Sequence, residues 1–461
     1  MQTRTEKDTM GPMQVPADAL YGASTARAVE NFPIANRPIP KEVIHAFGHL
    51  KAACAIANRD LGKLDEKIAQ AIVDASDEVA QGMHDAHFPV DVYQTGSGTS
   101  TNMNANEVIA NLATKRLGQK VHPNDQVNMG QSSNDTFPTA MRIAAIAGLL
   151  HALQPALVRL RQLLQSHSDK WDQIVKVGRT HTMDATPVRM GQVFSGYSHA
   201  VRTLHDQTTD SVLYLNSLPI GGTAVGTGIN THPDFADRVA TIVRSKLGYE
   251  FIFETDNHFH EQSSQDAFVA AHSHLKTIAV SLTKIANDIR LLASGPRCGI
   301  GELIIPAIQP GSSIMPGKEN PVLCESVMQV ACRVIGNDAT ITTANLGGVG
   351  SIFELNVAMP VMIDAFLESV NLLTNVINVF VDKLLVGLQV NEKRCAELVE
   401  LSLMNVTVLA PVIGYEQAAI VAKRAMAEGK TIRQIAREMN LLDDAALDKL
   451  LDYDAMTRPA S

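Results

Sequence analysis

The sequence predicts an all-α chain built around a bundle of long helices, and three observations carry that prediction. Apolar residues recur at three- and four-residue steps over runs far longer than a strand. Strand-like alternation is scarce. Polar, glycine-bearing islands punctuate the patterned runs at their ends. The cleanest run, 263–294, places Phe268, Leu275, Ile278, Leu282, Ile285, Ile289 and Leu292 on one seam, the spacing of a helix packed in a bundle.

Taken in order, residues 1–131 mix short helical patterns with loops. Turn-rich "NFPIANRPIP" leads into a predicted helix over 41–60, and two polar breaks follow, "DVYQTGSGTSTNMNANEV" and "VHPNDQVNMGQSSNDTFP". The segment 132–388 reads as a central domain of five long helices. The first has Ile143, Ala147, Leu150, Leu153, Leu157, Leu160 and Leu164 on one stripe, and the others cover 188–215, 263–294, 321–345 and 357–388. Residues 389–461 read as a small helical domain. Five apolar stripes of this length are not covered by one chain, so the pattern predicts self-association.

Bulk properties bound the function. At 461 residues the chain exceeds one simple core. A net charge of -9 argues against a general binder of nucleic acid or anionic membrane, which needs a basic face. The five cysteines (Cys54, Cys298, Cys324, Cys332, Cys395) show no Cys-x-x-Cys spacing and fit a reducing compartment. The polar opening "MQTRTEKDTMGPMQVP" lacks the apolar core of a signal peptide, and no stretch of about 18 consecutive apolar residues is present. The expectation is a cytoplasmic protein.

Four islands concentrate hydroxyls, amides and backbone donors: "GSGTSTNMNAN" (96–106), "HPNDQVNMGQSSNDT" (122–136), "GRTHTMDATP" (178–187) and "QPGSSIMPGKENPV" (309–322). Pro138, Pro187 and Pro321 follow or close three of them, which predicts helix starts there. Free N–H groups and partial positive charge at such starts suit carboxylates or phosphates. A single island of this composition is ordinarily a solvated loop, and a lone His181 is ordinarily a packing or surface residue. Four in one helical chain shift that balance. The pairs His84/His87, His258/His260 and His272/His274 lack the carboxylate or cysteine partners of a recognisable metal set. There is no P-loop, dinucleotide fingerprint or nucleophile elbow.

"GSSIMPGKENP" resembles the signature of the fumarase/aspartase superfamily, with Glu319 where valine is usual. "TGSGTSTNMNANEVIAN", "VHPNDQVNMGQSSNDTFPTAM", "GRTHTMDATP", "IGGTAVGTGIN" and "IANDIRLLASGPRCGIGEL" resemble class II fumarases in particular, and the likeness covers nearly the whole chain. Aspartases, the nearest alternative, tend to carry alanine at the positions of Ser97, Gly222 and Gly317; His122 also leans toward fumarase. Reuse of the scaffold as a non-catalytic structural protein is a third reading, against which the intact Ser312, Lys318, Asn320 and His181 argue.

The resemblance implies a three-domain fold and a homotetramer whose active sites each draw on three chains. It implies reversible hydration of fumarate to L-malate without metal or organic cofactor. Ser312 matches the base that takes the carbon-bound proton, and Lys318 and Asn320 match the groups that hold the resulting aci-carboxylate. His181 matches the histidine that acts through a water on the opposite face, and Glu325 the carboxylate paired with it. Ser97, Thr99, Ser132, Ser133, Asn134, Thr180 and Ser313 match the ligands of the substrate carboxylates. His122, Asn124 and Asp125 match a second anion site, where Gln119 replaces a usual arginine and the segment before His122 is short.

Overall fold

The computed structural model describes residues 2–459. The chain is mostly helical, as the sequence predicts, and its contacts divide it into two compact units.

One unit comprises Met1–Pro155, Asp206–Thr277 and Cys332–Thr374. It opens with an antiparallel hairpin, β1 (Thr3–Asp8) and β2 (Gly11–Pro16), followed by α1 (Ala23–Asn31). Helix α2 (Lys41–Asp60) occupies the range predicted for it. It packs against α3 (Glu66–Ala80), which starts where Asp65 accepts from the amides of Lys67 and Ile68. Helices α4 (Thr99–Leu117) and α5 (Ser133–Gly148) complete the core, with Phe47, Leu50, Ile72, Val108, Ile109 and Phe137 all buried. The Phe47 and Phe137 rings stand 6.0 Å apart.

The second unit comprises Ala156–His205, Ile278–Ala331 and Asn375–Ser461. After α6 (Gln154–Lys170) come an antiparallel pair, β3 (Val175–Thr180) and β4 (Met183–Arg189), with a register shift between Val177 and Arg179. Trp171 stacks on His167 at 4.3 Å and meets Phe194 edge-on at 4.8 Å. The C-terminal helices enclose a core of Leu409, Val421, Ile432, Ile435, Leu447 and Leu451.

The five long helices are present. Ser133–Lys170 is one 38-residue run with a π turn at Leu149–Leu153. The others are α7 (Met190–Tyr214), α8 (Phe235–Leu247) intervening, α9 (Asp266–Leu292), α10 (Val322–Ala344) and α11 (Met359–Phe380). Two proline-based expectations need correction. Pro138 lies inside α5, because the capping box of Ser132 and Asp135 starts the helix five residues earlier. Pro187 lies in β4, so the third island is a β-hairpin and not a loop feeding a helix. Ser133–Lys170 and Met359–Leu385 are long and apolar enough to cross a membrane, although neither holds an unbroken apolar stretch. Half or more of each apolar window is buried inside the fold, as in a core helix.

Candidate active site

In the first unit, two helix starts bring hydroxyls together. Gly98 precedes α4 with φ +73°, a left-handed conformation that turns the chain sharply between Ser97 and Thr99. Thr99 Oγ1 then lies 2.9 Å from Ser97 Oγ and 2.7 Å from Ser133 Oγ, in the first turn of α5. Ser132 Oγ accepts from the Asn134 amide, while the Asp135 carboxylate accepts from the Ser132 amide at 2.9 Å. Asn134 donates its side-chain amide to the Ala224 carbonyl at 2.8 Å. The result is a shelf of hydroxyls at the positive ends of two helices, a chemistry suited to a carboxylate.

His122 caps a π turn, Pro123–Val127: its Nδ1 accepts from the Asp125 amide at 3.1 Å, with the Asp125 carboxylate 3.2 Å away. Asn124, Asp125 and Gln119 are exposed. The turn therefore gathers His122, Asn124 and Asp125, but sets a carboxylate beside the imidazole.

In the second unit, His181 and Thr182 form the turn of the β3–β4 hairpin, with φ +56° and +62° and Thr180 paired to Met183. Both central residues are left-handed, as a tight hairpin turn requires. Neither is glycine or asparagine, and such strain costs on the order of 1–3 kcal/mol and concentrates at functional sites. The turn lifts Thr180, His181 and Thr182 into solvent. Beneath it, the buried Glu302 accepts from Arg179 at 2.9 and 3.1 Å and from Lys176 at 3.1 Å, which anchors β3. A cavity of about 1000 Å³ lies beside the hairpin, lined by Thr180, Thr182 and the apolar Val188, Val193, Ile285 and Leu291.

The loop 311–320 closes on itself. Gly311 N donates to Lys318 O at 2.9 Å, and Asn320 Nδ2 to Gly311 O at 2.7 Å. Lys318 Nζ donates to Asn320 Oδ1. Ser312 Oγ accepts from the amides of Ile314 (3.3 Å) and Met315 (3.0 Å), donors that would stabilise negative charge on that oxygen. Ser313, Ile314, Met315, Lys318 and Glu319 are exposed. Glu319 points into solvent with no described ion-pair partner. Glu325 is exposed in the first turn of α10. Among the described residues, no hydrogen bond joins the His181 hairpin to this loop or His181 to Glu325.

Sequence reasoning missed the supports of these groups. Asp135 is fully buried and accepts from Gly221 N (3.0 Å) and Thr223 N (2.9 Å); burial raises its carboxyl to about 6, against the pull of three backbone donors. Glu107, on α4, accepts from the amides of Gly22, Ser24 and Thr25 and from the Thr25 hydroxyl. The Ser-x-x-Asp spacing was a usable signal for Asp135. Glu107 and Glu302 carry no local signal, because their partners lie more than 80 residues away.

Comparison with known proteins places the chain in a family. Residues 11–336 match the family described as lyase, and residues 406–458 the one described as fumarase C C-terminus. Fold and motifs together define a lyase. The fumarate hydratase class II of Corynebacterium efficiens is 52% identical over 458 residues, covering 98% of this chain and 96% of that protein. That of Bacillus subtilis is 47% identical, covering 100% of both. The solved class II fumarase from Schistosoma mansoni superposes with a TM-score of 0.95 at 36% identity, covering 100% of both chains. A fumarate lyase:delta crystallin from Brucella melitensis, bound to cobalt, gives 0.95 at 40% identity, covering 99% of this chain and 100% of that one. The chain belongs to the class II fumarate hydratase family.

Proposed function

We propose that this enzyme catalyses the reversible, anti addition of water to fumarate, giving L-malate, as a step of the tricarboxylic acid cycle. The reading is supported by a hydroxyl shelf at two helix N-termini in one unit and, in the other, by a serine whose Oγ receives two amide donors. In the dehydration direction, Ser312 removes the proton next to a carboxylate. Lys318 and Asn320 hold the dianionic aci-carboxylate that forms, with the N-terminus of α10 behind them. His181, oriented by Glu325, acts through a water to protonate the departing hydroxyl. Ser97, Thr99, Ser132, Ser133, Asn134, Thr180 and Ser313 bind the substrate carboxylates.

The reading includes a cytoplasmic homotetramer that shares its active sites between chains, and a division at 1–131, 132–388 and 389–461. The exposed apolar residues Val280, Leu291 and Ile335 on the long helices support burial against other copies. All five cysteines are unpaired, in keeping with a reducing compartment. His122, Asn124 and Asp125 form a second, weaker anion site, weakened by the Asp125 carboxylate and by Gln119.

The test is to supply L-malate and, separately, L-aspartate to the purified chain and follow the ultraviolet absorbance of fumarate. Absorbance should rise with malate alone. A rise with aspartate and none with malate would make the protein an ammonia-lyase. Silence with both would revive the structural-protein reading.

A further inference from the structure

Lys51 stands in the middle of α2 with none of its surface exposed, within the otherwise apolar run "LKAACAIA". Its Nζ donates to Asn128 Oδ1 at 2.9 Å and Gln131 Oε1 at 2.8 Å. Both acceptors belong to the segment between the 123–127 π turn and Ser132. The same two carboxamides bind that segment's backbone: Asn128 Nδ2 donates to Gln131 O, and Gln131 Nε2 to Val127 O and Met129 O, each at 3.1 Å. Asn58, on the same helix as Lys51, donates to Met129 O at 3.0 Å. Asn102 donates to Asn128 Oδ1 and accepts from the Thr136 hydroxyl, both at 3.2 Å. One ammonium thus fixes the two side chains that pin residues 127–131, and the next three residues are Ser132, Ser133 and Asn134.

We infer that Lys51 is a positioning residue for the carboxylate shelf: its buried ammonium holds Asn128 and Gln131, and through them sets Ser132, Ser133 and Asn134 to receive the substrate. The inference rests on the assignment of those three residues as carboxylate ligands. A buried ammonium is a costly bridge between two amides. Burial lowers Lys51 to about 8, while the titratable groups acting on it, Cys54 on its own helix and Asp135 on α5, pull the other way. Between about 8 and the ordinary 10.5, the unfolded chain keeps a proton that the folded chain has released. Stability therefore rises with pH across that window, and below it the charge works against the fold. The charge contributes orientation where it does not contribute stability.

The variant that tests this is Lys51→Met in the full-length enzyme, with fumarate or malate as substrate. KM should rise about tenfold or more while kcat changes by less than about threefold, the signature of lost binding geometry. The melting temperature should hold or rise, and hydrogen exchange over residues 122–134 should quicken. In the unmodified enzyme KM should climb as pH passes about 8, and in Lys51→Met that climb should vanish. Gln131→Glu gives the ammonium a carboxylate partner at the loss of the Nε2 bonds to Val127 O and Met129 O; it should move the climb to higher pH, which serves if the methionine variant does not fold. A KM within about twofold of the unmodified enzyme and unchanged exchange would overturn the inference. So would a fall in kcat and melting temperature together with the rise in KM, or a climb unmoved by Gln131→Glu. If the unmodified enzyme turns over no four-carbon dicarboxylate, the proposed function fails by itself. The exchange measurement then still decides whether Lys51 holds the segment.

Discussion

The shelf at Ser97, Thr99 and Ser133 and the loop at Ser312–Asn320 carry similar small polar side chains but are built in opposite ways. Ser97 is 6% exposed, Thr99 opens a 19-residue helix, and the surrounding groups are tied to Asp135 and to the 221–224 loop. Ile314, two residues past Ser312, is 83% exposed, and every described hydrogen bond of 311–320 stays inside the loop or reaches no farther than Val322. The difference separates two tasks. The residues proposed to bind the substrate carboxylates are groups that the fold has already arranged, which cost little to order on binding. The residues proposed for proton transfer sit on an exposed segment held by its own hydrogen bonds, the kind of segment that can close over a substrate.

Ser312→Ala gives the largest expected effect. Turnover of malate should fall at least about 10³-fold, near 4 kcal/mol of barrier at 1.36 kcal/mol per decade. Melting temperature should stay put, since Ser312 bonds only its own loop. Near-normal turnover would remove the base from the loop and erase the division of tasks.

Gly98→Ala strikes the other region. Its Cβ would stand 2.0 Å from the Phe137 ring, at φ +73°, where a side chain is already strained. Overpacking against a fully buried ring, added to left-handed strain, should cost about 3 kcal/mol or more. Chemical denaturation should show it as a lower midpoint. A midpoint unchanged from the unmodified chain would mean that the shelf is softer than its burial indicates.

His181→Asn comes next. A positioned general acid–base group contributes about 10²–10⁴-fold, and water already stands between this one and its substrate in the proposed scheme. A loss of about 10²-fold or less in kcat is expected, with little change in melting temperature because the ring is exposed. An unchanged kcat would take the hairpin out of the mechanism.

The same division explains what the sequence made legible. Helix α2 and the five long helices were readable because their apolar stripes are local and periodic, as in Phe268 to Leu292. The hydroxyl islands were readable because composition and motif are local too. The His181 hairpin was not: its two central residues, His181 and Thr182, are neither the glycine nor the asparagine that ordinarily marks a tight turn. Lys51 was not, because a lone lysine in an apolar run gains meaning only from Asn128 and Gln131, 77 and 80 residues on. Pro138 misled because the capping box of Ser132 and Asp135 fixes the start of α5 independently of it.

Gly317→Ala should have the smallest effect, and it is the sharpest control for Gly98→Ala. The two glycines share nearly the same backbone, φ +76° and +73°. Both substitutions therefore impose the same left-handed penalty, about 1–2 kcal/mol. Around Gly317, however, an added Cβ meets nothing within 4 Å. The penalty then falls on the loop alone, which can relax without unfolding either unit. Melting temperature should move by less than about a degree, while kcat should drop by about fivefold, the ratio that 1 kcal/mol sets between two loop conformations. Equal losses of stability at Gly98 and Gly317 would show that the loop is packed as firmly as the shelf, and the contrast between a fixed binding surface and a mobile proton-transfer segment would fail.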